Sequence, residues 1–440
     1  MKTLILVLAL VVTLQYQIAT AGVLYVRSDG LATWPCGTSI ANSCKNIATA
    51  VANANVYATT SIKVAQGDYA EQVDIRDVNL PASGLGQLTI EGGWNADFTT
   101  QSPDPTKTRI TSSNDNAVIN IAPGTGHRVG LRLAYLTLRG TTNLQRLGLE
   151  AWASQSTIDL DIEHCHVVSF RGQGISLVAD TVGQATVTVQ DTTLQGNYQV
   201  GSPWSGAGMY ITSWSGSTVG VTLTKNTIVD NQAIAGGGIY LYTNGATLNA
   251  TLVNNIMAGN QTVADGGAIN AAAAGDSIMV LTMTNNTINN NQANSQGGGI
   301  LLSSLNTATI TAELTNTIVW GNNNSDIYIN QNDLSTTTVT PYYSMVDIVA
   351  GVTSSYKIGM HNLHINPALN DSYHLTGTSP AKDKGLCGEI GPGYYERFAP
   401  YDDIDGNARP GWNVELGCDI GADEYRFPWI LLNPVITKQQ

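Results

Sequence analysis

The sequence predicts an all-β protein: a right-handed, single-stranded parallel β-helix with a short N-terminal helical cap and an irregular C-terminal cap. Three observations lead there. Two aliphatic markers recur with a common period of about thirty residues, the residues between them are strand formers, and Asn and Gly recur at set places in the turns.

The first marker falls at Leu136, Val167, Leu194, Ile228, Ile256, Ile288 and Ile318, in steps of 31, 27, 34, 28, 32 and 30 residues. The second falls at Leu149, Ile175, Met209, Ile239, Ile269, Ile300 and Ile327, in steps of 26, 34, 30, 30, 31 and 27. Two markers that hold one period describe a solenoid in which each coil rests on its neighbours. The alternating runs VTLTKNTIV from Val221 and GGGIYLY from Gly236 read as strands. Helix pairs are excluded, because Thr, Val, Asn and Gly form helices poorly and no apolar 3.6-residue period appears. The Leu-x-x-Leu-x-Leu frame of a leucine-rich solenoid is missing as well.

Two residues before the first marker stand Cys165, Thr192, Asn226, Asn254, Asn286 and Asn316. Coils lie about 4.8 Å apart, so these side chains would bond along the stack as an internal asparagine ladder, with Cys165 a small buried member. Gly236 to Gly238, Gly266-Gly267 and Gly297 to Gly299 suit tight turns with positive φ.

Residues 1–21 read as a secretory signal peptide, with Lys2, an apolar run from Leu4 to Leu14 and the small triplet Ala19-Thr20-Ala21. That run is shorter than the roughly 20 residues of a membrane-spanning helix, so a secreted or cell-surface chain without a transmembrane anchor is expected. The expected organisation continues with an N-terminal cap and first coils over 22–110, repeats over 111–340, a closing segment over 341–425 and a tail over 426–440. Five cysteines in an exported chain suggest two disulfides and one spare thiol. Local pairing would join Cys36 to Cys44 and Cys387 to Cys418, leaving Cys165. A formal net charge of −13 argues against nucleic acid as a partner. It also disfavours an anionic polysaccharide unless metal ions bridge the charges.

The segments IVDNQAIAGGGI from Ile228, IMAGNQTVADGGAI from Ile256 and INNNQANSQGGGI from Ile288 resemble the repeats of polymorphic outer-membrane proteins and other right-handed β-helix proteins of pectate-lyase-like fold. Those families place Phe where this chain has Ile, and the membrane barrel of their autotransporter members has no counterpart here, so the resemblance implies the solenoid and not the export route. Residues 23–110 are similar to the opening of such secreted solenoids, with SCKNIATAVANA as a short amphipathic helix. NPALNDSYHLTGTSPAKDKG and DIDGNARPGWNVELGCDIGADEY resemble the closing segment of bacterial surface-anchored β-helix proteins.

Pectate-lyase-like enzymes imply a calcium-binding carboxylate cluster and a basic residue on one face. Between residues 201 and 330 the charged side chains are limited to Lys225, Asp230, Asp265, Asp276, Glu313 and Asp326. The paired aspartates and Gly-His-Gly of polygalacturonases are missing too, with Gln173 standing where the His would be. In DLDIEHCHVVSFR, alternation puts Asp159, Asp161 and Glu163 on one side of a strand, either as a cation or sugar site or as a solubilising face; His164 and His166 are either metal ligands or turn and ladder residues. With Met209, Ile211, Ile239 and Leu241 inward, Tyr210, Tyr240 and Tyr242 project outward on adjacent coils, near Trp214 and Trp204. These five are the candidate glycan platform, since C–H faces of sugars pack on aromatic rings; the alternative is an aromatic ladder that stabilises the strands. Asp403, Asp405 and Asn407 carry the first half of a calcium-loop spacing, which makes calcium the one cofactor suggested, against a hydrogen-bonded cap. The reading that results is non-catalytic binding of an extracellular polysaccharide or cell-surface glycan, or adhesion. A polysaccharide lyase or glycoside hydrolase and a structural envelope component are the alternatives.

Overall fold

The computed structural model describes residues 22–426 except 34, 58–59, 77–86, 112–115, 142–146, 200–204, 333, 358, 392–393 and 411–416. The predicted signal peptide, Trp204 and nearly all of the tail lie outside the described residues. Within them the chain winds as a parallel β-solenoid of about nine turns, whose faces form sheets of eleven, ten and ten strands. The first sheet runs from Leu24–Leu31 to Thr336–Tyr342, the second from Val73–Ile75 to Val349–Gly351, and the third from Gly67–Ala70 to Met345–Val346. One coil shows the order: Met209–Trp214 in the second sheet, Thr218–Thr224 in the first, Thr227–Val229 in the third, then Gln232–Ala233 before the next second-sheet strand, Ile239–Asn244.

Alternation in each strand builds the core. Val219, Val221 and Leu223 face inward, pair with Leu248, Ala250 and Leu252, and these pair in turn with Met279, Leu281 and Met283. Each fully buried large aliphatic side chain contributes about 1.5–3 kcal/mol. The N-terminal end is covered by the helix Ile47–Tyr57, which buries Ile47, Ala50, Val51 and Ala54. Its first turn is capped from outside by Glu71, whose carboxylate accepts the N–H groups of Ile47 and Ala48 at 2.9 and 2.8 Å. Disulfides join Cys36 to Cys44 and Cys387 to Cys418. Cys165 is free and buried, and burial pushes its thiol up to about 12, which makes it unreactive as a thiolate.

The second marker holds its register through all seven positions. The first requires correction at three. Leu138 rather than Leu136 pairs with Val167, Met257 rather than Ile256 stacks between Ile228 and Ile288, and Val319 rather than Ile318 follows Ile288. The ladder shifts with it. Its rungs are Thr192, Asn226, Asn255, Asn286 and Thr317: the Asn226 amide donates to Asn255 Oδ1 at 3.0 Å, and Asn255 to Asn286 Oδ1 at 2.9 Å. Cys165 joins through its N–H, which donates to Thr192 Oγ1. Asn254 and Asn316 instead occupy the preceding, left-handed turn position with Asn285, at φ of 55°, 50° and 53°, and face outward. In an Asn-Asn doublet composition alone cannot say which member turns inward, and one step of slip exchanges the faces.

A second amide column, unforeseen in the sequence, follows the third sheet. Asn197 donates to Asn231, Asn231 to Asn260, Asn260 to Asn291 and Asn291 to Asn322, at 2.9 to 3.0 Å, and Asn322 ends on the Asp326 carboxylate at 2.8 Å. Each amide also serves a carbonyl of the coil before, as Asn260 does for Ile228 at 2.8 Å. The Gly-rich turns stack equally closely: a Cβ on Gly267 would come within 2.2 Å of the Gly298 carbonyl.

The outward turn positions explain the closing segment, which lies back along the outer face of the third sheet. Asn254 donates to the Asp402 carbonyl at 2.6 Å, Asn285 to those of Asp419 and Gly421, and Asn316 to that of Leu386. The displaced markers are buried beneath it, Ile256 with Ala258 and Ala422, and Ile318 with Met345, Leu375 and Ile420. Arg409, fully buried, ties the layers together through Glu424 at 2.7 Å, Asn254 Oδ1 at 3.1 Å and the carbonyls of Gly421 and Ala422. Burial, reinforced by the Asp419 charge, pushes Glu424 up to about 7, and burial pushes Asp419 up to about 6, both against the attraction of Arg409.

Replacing Asn260 by Leu should strand the Asn231 backbone N–H and the Ile228 carbonyl and take one bond each from the Asn231 amide and Asn291 Oδ1, costing about 3 kcal/mol in urea unfolding. A cost no larger than that of a surface substitution would contradict the column. Because Glu424 binds its proton more tightly folded than unfolded, its contribution is greatest below its ordinary value of 4.5 and is lost as pH rises through about 7. Glu424→Gln should therefore flatten the decline of melting temperature between about pH 5 and about pH 8, and a variant with the parental slope would speak against that assignment.

Candidate functional site

The outward face of the second sheet carries the predicted aromatic residues. Tyr210 and Tyr240 occupy the same position on adjacent coils, and their rings stack with centroids 5.5 Å apart and planes 6° from parallel. Tyr242 lies 6.4 Å from Tyr240 in a nearly parallel plane, and Trp214 tilts against Tyr242 at 4.8 Å and 51°. All four are half-buried, and burial pushes the Tyr240 hydroxyl up to about 12 and raises that of Tyr210. At this spacing the rings overlap like shingles, so part of each face is spent on its neighbour and the rest, with the ring edges, is presented outward.

Trp152 extends the row and was missed in the sequence. It follows three residues after the marker Leu149, an interval that places it outward by alternation, and it is 46% exposed. Its indole N–H donates to Asp180 Oδ2 at 3.2 Å, which holds the ring by one edge. Trp152, Val178, Thr212 and Tyr242 share one column, so Trp152 and Tyr242 stand three strand spacings, about 14 Å, apart. The nearby carboxylates on this face are Glu150, raised by burial, and Asp180.

The other predicted groups disperse. Asp159 pairs with Arg128 at 2.6 Å, while Arg132 lies among Glu91, Asp161 and Glu163, so this row of acids is engaged by two arginines of the preceding coil. His164 sits in a left-handed turn and stacks on Tyr135, whereas His166 belongs to a third-sheet strand, so the two imidazoles do not converge. Asp403 is buried and its carboxylate accepts four bonds, from the N–H groups of Asp405, Asn407 and Glu424 and from the Asn407 amide. The calcium-loop spacing thus forms a turn around Asp403, and the Asp405 carboxylate points instead to His374 Nε2 at 3.1 Å.

Where the closing segment stops, the third sheet is open. A cleft of about 570 Å³ is lined by Arg109, Arg139, His166, Gln195 and Asp230. A second of about 540 Å³ continues from Asp230 to Lys225, Tyr373, His374 and Asp405. The first cleft is lined by the coils alone, whereas the second could not be read from the repeats, because its far wall comes from a segment more than a hundred residues away in sequence. No protein-family model matches the chain, and no curated protein matches it.

Proposed function

We propose that this chain is a secreted or cell-surface solenoid that binds glycan without catalysis along the outward face of the second sheet, from Trp152 to Tyr242. The observation that carries the reading is the placement of aromatic side chains on one outward sheet face: a part-exposed indole at one end and ring faces and edges from Tyr210, Tyr240, Tyr242 and Trp214 at the other, with the strand carrying Val178 between them. A row of rings on one regular sheet suits an extended chain molecule whose sugars present apolar C–H faces, with the part-exposed Asn244 amide as a polar partner beside the rings. The exported setting is supported by two disulfides, by the predicted signal peptide and by the resemblance of the Gly-rich repeats to pectate-lyase-like and polymorphic outer-membrane-protein solenoids. Among the described residues no helix is long and apolar enough to cross a membrane.

A polysaccharide panel read for both retention and product tests this. Retention should be saturable, with no new reducing or unsaturated sugar ends. Trp152→Ala should weaken it by about tenfold or more while lowering the melting temperature less than Tyr240→Ala does, since that ring is nearly half exposed and, among the described residues, stacks on no other ring. Tyr240→Ala should lower both, because its ring is stacked and half-buried. Undiminished retention by Trp152→Ala, or release of sugar products, would overturn the reading.

A further inference from the structure

Three loops of the closing segment bring His374, Asp405 and Asp423 together, with one ligating atom from each lying within 4.8 Å of the others. Each is held by bonds outside the trio. The turn that carries His374 is pinned by Asn370, whose Oδ1 accepts the N–H groups of Ser372 and His374. Asp405 belongs to the turn built around Asp403. Asp423 follows Ala422, whose N–H donates to Thr287 Oγ1 of the solenoid, and one of its own oxygens accepts the Leu375 N–H at 2.8 Å.

Hydrogen placement supplies an independent argument. His374 Nδ1 lies 2.8 Å from the Ser372 carbonyl oxygen, which can only accept, so Nδ1 carries the hydrogen. In the neutral ring Nε2 then presents a lone pair, and it faces an Asp405 oxygen that is also only an acceptor, at 3.1 Å. Asp423, 7% exposed, directs its carboxylate to the same point. A second proton on the ring or a metal ion would satisfy the two facing atoms, and a carbonyl on the far nitrogen, which leaves Nε2 directed at both carboxylates, is how metal-binding imidazoles are commonly oriented.

We propose that His374, Asp405 and Asp423 bind a divalent transition metal of the zinc class, with a fourth position open to the cleft lined by Tyr373 and Lys225. One imidazole and two carboxylates match zinc, which takes four ligands of this kind; calcium takes six to eight oxygens and gains little from an imidazole. Zinc ligands stand about 2.0–2.2 Å from the ion, so the trio closes by about an ångström on binding. The more exposed Asp405 side chain makes this adjustment, while buried Asp423 stays anchored. The ion would fasten three separate loops of the closing segment to one another, and it is independent of glycan binding at the second sheet.

The test is calorimetric titration of the metal-free full chain with zinc chloride near neutral pH, with a melting curve for every variant. One zinc per chain is expected, with a rise in melting temperature that His374→Ala abolishes. His374→Ala and Asp423→Asn should each weaken binding by at least about 10- to 100-fold, while Asp371→Asn, in the same cleft, should leave it unchanged. Cobalt in place of zinc should show a visible spectrum that the His374 variant lacks. Equal zinc uptake by His374→Ala, absence of saturable zinc binding, or a preference for calcium would each overturn the site. If Asp423→Asn fails to fold, the His374 variant and the cobalt spectrum still decide.

Discussion

Every feature of this molecule depends on the register between successive coils, and that register is held by side-chain amides as much as by strands. An asparagine at a turn offers a donor and an acceptor in one plane, so it can receive from one coil, give to the next, and satisfy a carbonyl that water cannot reach. The column through Asn226, Asn255 and Asn286 and the column from Asn197 to Asp326 do this at two corners of the same coils. A slip of one residue in any coil would break both columns and turn the apolar face outward. The aromatic row inherits its regularity from this constraint, since Tyr210 and Tyr240 stack because their strands are in step.

The third sheet shows how one face is divided between packing and access. Its outward column reads Arg109, Thr137, His166, Thr193 and Thr227 in the early coils, then Ile256, Thr287, Ile318 and Met345. The apolar half is covered by the closing segment and the polar half forms the clefts. The left-handed turn residues Lys225, Asn254, Asn285 and Asn316 mark the seam, for each reaches outward to the closing segment. The C-terminal part of the chain therefore protects a flank of the solenoid and builds one wall of an open groove.

Much of this was legible in the sequence. The period, the strand character, the inward aliphatic columns and the two disulfides follow from spacing and composition, because a stack repeats its chemistry coil by coil. The outward tyrosines were legible for the same reason. What escaped has a common cause. Ile256 and Ile318 look like core residues because they are buried, yet they are buried against a segment that comes from the far end of the chain. The Asn-Asn doublets hid which member faces inward. Trp152 escaped because it stands alone in its column, with Val178 and Thr212 between it and Tyr242. The approach of His374 to Asp405 and Asp423 depends on how three irregular loops fold back, which has no period to follow.

Amide hydrogen exchange, residue by residue, tests the stack most directly. The backbone N–H groups of Asn226, Asn255, Asn231, Asn260 and Asn291 sit in turns, where exchange is ordinarily fast, but each donates to the side chain of the next coil. They should exchange as slowly as the inward positions of the first-sheet strands. Exchange at the rate of exposed turn amides would mean that the coils are not locked in step, and the account built on their register would fail.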